Sequence, residues 1–234
     1  MASLDGLRVR KFLASGSVRQ AGTDAPVAIR LRKIAGGTVT SVTVTTATDI
    51  VAVTSVGGTD TYTFSSLATV GAVVDAINRD GIFEAKVLDC LRSLASASTL
   101  VNGVVTAGID DNGNTVWDIK QDTSASLQIA IALSPSRAFD APKGHRVHLQ
   151  EVRYSVNMAT AAADSVQIWK RKGAIETQLF GALSVDTTDT TINFALGVGQ
   201  ISAESDEDLI VLVKDAAALA DAAGNYVRVV GVIE

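Results

Sequence analysis

From Val27 onward, apolar and polar residues alternate with a period of two in one short segment after another. Successive side chains of a strand point to opposite faces, so this period marks strands with one face turned to a core. Val27, Ile29 and Leu31 point one way; Ala28, Arg30 and Arg32 point the other. The pattern returns in Thr38–Thr46, Ile50–Thr54 and Thr59–Phe64. Val and Thr are abundant, and β-branched residues pack well on a pleated surface while losing rotamer freedom in a helix. The chain is predicted to be mainly β.

One segment changes period. Val70, Val73, Val74 and Ile77 fall at i, i+3, i+4 and i+7, the apolar stripe of a helix. Ser65 or Ser66 is its expected cap and Asp80-Gly81 its stop. Phe83, Ala85 and Val87 resume strand spacing. Gly36-Gly37 reads as a tight turn, and Gly57-Gly58 as a two-residue hairpin turn. Asn112-Gly113 is a further hairpin signal between Val104–Val105 and Val116–Ile119. Residues 91–101 read equally as a short helix or a loop.

Leu127 to Leu133 gives another strand, and the Pro-containing stretch 134–144 is the expected domain boundary. Beyond it the helical period is gone. Strands are predicted over 146–156, 164–172, 175–181, 188–196, 208–214 and 225–233, with 216–223 as one helical turn or a loop. Short strands at this spacing suggest an antiparallel sandwich with Greek-key or jelly-roll connections. The expected layout is an N-terminal arm (1–26), an α+β domain with a β-β-α-β unit (27–140) and a β-sandwich domain (145–234).

Charge separates the arm from the rest. Residues 1–34 hold seven cations and two anions, a balance of +5, whereas the whole chain of 234 residues is at −5. Arg8, Arg10, Lys11 and Arg19 are therefore candidate partner-binding residues. The acidic body carries no global basic field, which argues against nucleic acid as the main partner. With 47% apolar and 19% charged residues, wholesale disorder is excluded. No apolar run is long enough for a membrane span, and the N-terminus does not read as a secretory signal.

Chemistry-bearing motifs are sparse. A single Cys excludes an intrachain disulfide and a multi-Cys metal site. His145 and His148 form H-R-V-H, but on a strand residues three apart face opposite sides, so no chelate is expected. Cys90 reads as a small semi-buried residue. Asp110, Asp111, Asn112 and Asn114 are rich in oxygen, yet Gly113 comes fourth where an EF-hand needs Gly sixth; a hairpin turn is the better reading. Lys170-Arg171-Lys172, beside Trp169, reads as a solubilising turn. Glu204, Asp206, Glu207 and Asp208 form an acidic cluster, a solvated loop or a docking site for a basic surface such as the arm of a neighbour. No catalytic residue, metal site or cofactor is expected.

Residues 49–89 resemble the small β-β-α-β insert of bacterial flagellins and flagellar cap proteins. The matching stretches are DIVAVTSVGGTDTYTF, SLATVGAVVDAIN and GIFEAKVLD, with Ile77-Asn78 closing the helix and Glu84-Ala85-Lys86-Val87 as the following strand. The long terminal heptad helices of a flagellin are missing. The resemblance implies an exposed accessory module of an assembled structure. In overall style the chain is similar to tailed-bacteriophage virion proteins, particularly capsid decoration (cement) proteins. That similarity implies a non-enzymatic protein made in the host cytoplasm and seated on the virion capsid. Its partners would be the major capsid protein, or another virion protein, and its own copies in a homotrimer. A tail, baseplate or fibre adaptor and a carbohydrate-binding surface protein are the alternatives.

Overall fold

The computed structural model describes residues 11–15, 26–45, 47–56, 58–110, 112–122, 128–133, 146–155, 165–184, 190–193, 201–204, 206–214 and 226–233. Arg8, Arg10, Arg19, His145, the boundary 134–144 and the segment 216–223 lie outside them. The described residues form four antiparallel sheets with few helices.

In chain order, β1 (Lys11–Ser15) precedes β2 (Val27–Lys33), β3 (Val39–Thr45), β4 (Asp49–Thr54) and β5 (Gly58–Thr63). Then come α1 (Val70–Asp80), β6 (Phe83–Val87) and the one-turn α2 (Ser96–Thr99). The strands β7 (Gly103–Val104), β8 (Ala107–Ile109), β9 (Thr115–Lys120) and β10 (Gln128–Leu133) follow. The rest of the chain gives β11 (Val147–Ser155), β12 (Ser165–Lys172), β13 (Ile175–Ser184) and β14 (Thr190–Asn193). It ends with β15 (Ser202–Ala203), β16 (Glu207–Lys214) and β17 (Tyr226–Ile233). Two sheets come from the first half, β5-β4-β3-β7 and β6-β2-β9-β8. The others are β10-β16-β12-β13 and β1-β17-β11-β14, with β15 also pairing β11.

The helix forms where its stripe predicts. Val70, Val73, Val74 and Ile77 are all buried, and Gly81 closes it in the left-handed conformation at φ 71°. Its cap is Thr69, not Ser65 or Ser66: the Thr69 hydroxyl accepts the Ala72 N–H at 3.2 Å. A side chain immediately before the first turn reaches that orphan donor, whereas Ser66 turns back to Thr63 O at 3.0 Å. Asn78 ties helix to strand. Its Nδ2 donates to Ala85 O at 3.1 Å and its Oδ1 accepts Ala85 N–H at 2.7 Å. This two-way bond is what a neighbouring strand would supply to β6.

Pairing changes several sequence expectations. Thr54 pairs with Gly58, so Gly58 belongs to the ladder and Gly57-Gly58 is not a two-residue turn. The partner of β9 across the Asn112-Gly113 loop is β8, while Val104 pairs with β3. Two strands also cross the expected domain limits. Lys11 to Ser15, read as arm, pairs with Ile233 to Val229 of β17. Gln128 to Leu133, read with the α+β domain, pairs with Lys214 to Leu209 of β16. Alternation marks a strand but says nothing of a partner far along the chain.

The sheet β10-β16-β12-β13 lies between two layers. Ala130, Ala132, Ile210 and Leu212 join one continuous core with Ile29, Val73 and the first-half sheets. On its other face, Leu133 presses on Gly231 of β17. Leu209, Ile210, Val211 and Leu212 are all buried, as a strand covered on both faces requires. A Cβ at Gly231 would collide with the Leu133 side chain and lie 2.8 Å from His148 O, which is backbone and cannot step aside. Gly231→Ala is therefore expected to lower stability by about 1–3 kcal/mol, checked by urea denaturation followed by circular dichroism. An unchanged midpoint would show that the two sheets do not meet there.

Candidate functional site

The densest polar cluster sits at the seam between the first-half core and the sheet β10-β16-β12-β13. Cross-strand register builds it. Arg171, next to last in β12, stands opposite Asp208 of β16 and Glu176 of β13. Its side chain is only 4% exposed. The guanidinium donates to Asp208 Oδ2 from Nη2 at 2.7 Å and from Nε at 3.1 Å. It also donates to Cys90 O at 2.7 Å, Val87 O at 2.8 Å and Leu88 O at 2.9 Å. Those carbonyls belong to the last residue of β6 and the turn that follows it. Glu176 stands 4.0 Å from Arg171 and accepts the Arg92 N–H at 2.8 Å.

Asp89 and Gln121 close the seam on β10. Asp89 accepts Val27 N–H at 3.1 Å and Ala132 N–H at 2.9 Å. The Gln121 amide takes Ala130 N–H at 3.2 Å, returns a bond to Ala130 O at 2.8 Å and donates also to Asp89 O. Cys90 lies within this cluster. Burial pushes its thiol pKa well up, against the pull of the Arg171 guanidinium; Glu176 and Asp89 add to the rise. Its Sγ donates to Leu91 O at 3.2 Å. A thiol held protonated in this way is a packing group, since nucleophilic chemistry needs the thiolate. The cluster joins layers: apart from the Cys90–Leu91 bond, each bond named runs from a side chain to the backbone or a partner of another element.

The four acidic residues singled out in the sequence are brought together, but against the chain's own cations. Asp208 meets Arg171, Glu207 meets Lys170 at 3.1 Å and Asp206 meets Lys172 at 3.0 Å. Glu204 pairs with Arg146. Lys170-Arg171-Lys172 and the acidic cluster are thus two halves of one ion-pair ladder, which the separation of β12 and β16 in the chain concealed. Burial pushes the Glu207 carboxyl up, but the Glu204 N–H at 3.1 Å and Lys170 outweigh it, and the net shift is downward. Asp206 is also lowered, chiefly by its bond to Lys172.

Lys11 is placed in β1, backbone-paired with Ile233. Arg30 and Arg32, which add to the N-terminal positive balance, hold Asp118 at 2.7 Å and Glu84 at 2.6 Å across the strands of their sheet. Asp110 is buried within its own loop, accepting from Asn112 N–H and Asn114 N–H at 3.0 and 2.9 Å. His148 is buried on β11.

Apolar side chains missed by the sequence reading stand out on open strand edges. Val104 on β7 is 75% exposed and Ile109 on β8 is 67% exposed. A groove of about 330 Å³ lies beside them, lined by Asn102, Val104, Thr106, Asp118 and Lys120. Ile175, Leu179 and Phe180 are exposed on β13. Alternation alone assigns such residues to a core, because it does not tell which strand ends a sheet. No family model matches the chain, and no curated protein matches it.

Two outcomes follow from the seam and the ladder. Arg171→Met should cost about 3–5 kcal/mol, because it leaves Asp208 and three carbonyls without their donor. Equilibrium denaturation measures this, and a loss under about 1 kcal/mol would show that the cation does not join the layers. For the ladder, a carboxylate with a lowered folded pKa adds stability above its unfolded pKa. That contribution disappears as pH falls through the folded value, below the usual carboxylate range near pH 4. Melting temperature should therefore drop across that acid window, and the drop should be shallower in Glu207→Gln; identical acid profiles would remove Glu207 from the account.

Proposed function

We propose that this chain is a non-enzymatic virion structural protein, a capsid decoration protein that binds the assembled shell and stabilises it. In this reading sheets β1-β17-β11-β14 and β10-β16-β12-β13 are the two leaves of a β-sandwich with Greek-key connections. The first-half sheets and α1 form an accessory module rooted on that sandwich. The observation that carries the proposal is the division of labour between seam and rim. Buried charge-assisted bonds fix the layers to one another, while apolar side chains stand exposed at strand edges, as on Val104 and Ile109. Apolar side chains exposed together at a strand edge are the kind of surface that meets another protein.

The partner is the capsid lattice, with Arg8, Arg10, Lys11 and Arg19 as the charged contribution and neighbouring copies as the repeated one. Weak contacts multiplied by symmetry give large avidity. A protein that binds only the assembled lattice stabilises it by mass action. The two Trp residues support this over sugar binding. Trp117 is buried edge-on against Phe83 at 6.4 Å, and Trp169 packs against the core with its Nε1 donating to Gln167.

Purified shells with and without the bound protein test the proposal. Shells that carry it are expected to survive higher temperature and osmotic shock. Equal resistance would count against it. Particle mass spectrometry separates the tail alternative, since a lattice protein is present in many copies and an adaptor in few.

A further inference from the structure

We propose that Asn112-Gly113 is a site of spontaneous covalent modification, conversion of the Asn112 amide to an aspartyl or isoaspartyl acid, and that the loop built on Asp110 sets its rate. The inference does not rest on the virion reading. Asn112 and Gly113 are exposed at the tip between β8 and β9. Asn is a thermolabile residue, and a glycine after it puts no side chain beside the attacked carbon. Gly113 stands at φ 83°, with nothing within 4 Å of where a Cβ would lie. The chemistry needs only water. Gly113 N gives its proton to solvent base and bonds to Asn112 Cγ; the Cγ–Nδ2 bond breaks and ammonia leaves. Water then opens the cyclic imide at one carbonyl or the other. One product carries a side-chain carboxylate, and the other has its backbone rerouted through the β-carbon.

The nucleophile is held in place. Gly113 N–H donates to Asp110 O at 2.9 Å, and Asp110 N–H donates to Asn114 O at 3.0 Å. The Asp110 carboxylate accepts Asn112 N–H at 3.0 Å, Asn114 N–H at 2.9 Å and Asn114 Nδ2 at 3.1 Å. Attack requires this loop to open, since a nitrogen whose proton is shared with a carbonyl can neither lose it nor turn onto Cγ. Opening a loop tip costs far less than parting a ladder inside the fold. The chain's other Asn-Gly step, Asn102-Gly103, is held by such a ladder. Val105 N–H donates to Val42 O at 2.8 Å, so Gly103, two residues earlier and opposite Val44, is the next bonded position. Conversion at Asn112 adds a negative charge beside Asp110 and Asp111. An isoaspartyl link also lengthens the backbone between two paired strands. β8 has three pairs with β9, and it is the element that loosens.

The test is incubation of the full chain in mildly alkaline buffer beside a peptide of residues 106–118, with both mapped by fragmentation mass spectrometry. Acid is expected to form at Asn112 while Asn102 keeps its amide. Conversion in the folded chain should be slower than in the peptide. The slowing should match the protection of Gly113 N–H against hydrogen exchange, because one opening gates both. Asp110→Ala, which removes the carboxylate from the loop, is expected to speed conversion at Asn112. The wild-type comparison with hydrogen exchange stands whether or not that variant folds. Asn112 unchanged after the peptide has converted and Gly113 N–H has exchanged, conversion at Asn102 first, or an unaltered rate in Asp110→Ala would each overturn the proposal.

Discussion

A guanidinium taken out of water must find partners for its N–H groups, and the requirement is severe because an uncompensated buried charge costs several kcal/mol. Arg171 meets it by reaching across layers. Its carboxylate partner Asp208 comes from the neighbouring strand β16, and its carbonyl partners come from the end of β6 and the turn after it. The position of that turn is then fixed relative to β12. Val27 follows, because Asp89 in the same turn holds its N–H, and so does Ala132 on β10. One charged side chain thus links the register of the last sheets to the placement of the first ones. A buried ion pair is a weak source of net stability compared with an apolar replacement of the same shape. Its consequence here is geometric: sliding either layer separates the cation from three carbonyls at once.

The same logic explains how strand edges inside the molecule are closed. A primary amide offers one donor group and one acceptor, as a peptide does. Asn78 bonds both polar groups of Ala85, and Gln121 bonds both of Ala130. Each acts as one residue of an absent strand. The residues served are alanines, whose small side chains let a second element come close without a cavity or a clash. This gives a physical content to the pairing of Ile77-Asn78 with the Glu84-Ala85-Lys86-Val87 strand noted in the sequence. Ile77 enters the core while Asn78 holds the strand's edge.

Period-two alternation was enough to place most strands, because it reflects the local alternation of buried and exposed faces. The helix was equally legible from Val70, Val73, Val74 and Ile77. What was not legible was partnership. Lys11–Ser15 is five residues long and next to glycine-rich sequence, and its place beside β17 is decided at the far end of the chain. β10 was readable as a strand but not as a member of the later sheet. The seam was hidden for the same reason. Asp89, Gln121 and Arg171 lie far apart in sequence, and only the fold brings them together. A signal was present in the runs QIAIAL and DLIVLVK, which are apolar at successive positions and so announce a sheet covered on both faces.

Where the charges go bears on how the molecule could act. The basic turn and the acidic cluster neutralise one another through Lys170, Lys172, Asp206 and Glu207, and Arg30 and Arg32 hold carboxylates within their own sheet. The positive balance of the first 34 residues therefore rests on Arg8, Arg10, Lys11, Arg19 and Lys33, against Asp5 and Asp24. Under the proposed function, attraction by so small a charge is screened at physiological salt, so apolar contact at the strand edges would supply the larger share. Apolar contact tolerates little looseness, since ordering a mobile surface consumes the gain. A body whose layers are fixed by Arg171 and Asp89 presents its edges already ordered. In the proposed reading, the buried polar seam and the exposed apolar rim are one device: the first presents the second already ordered.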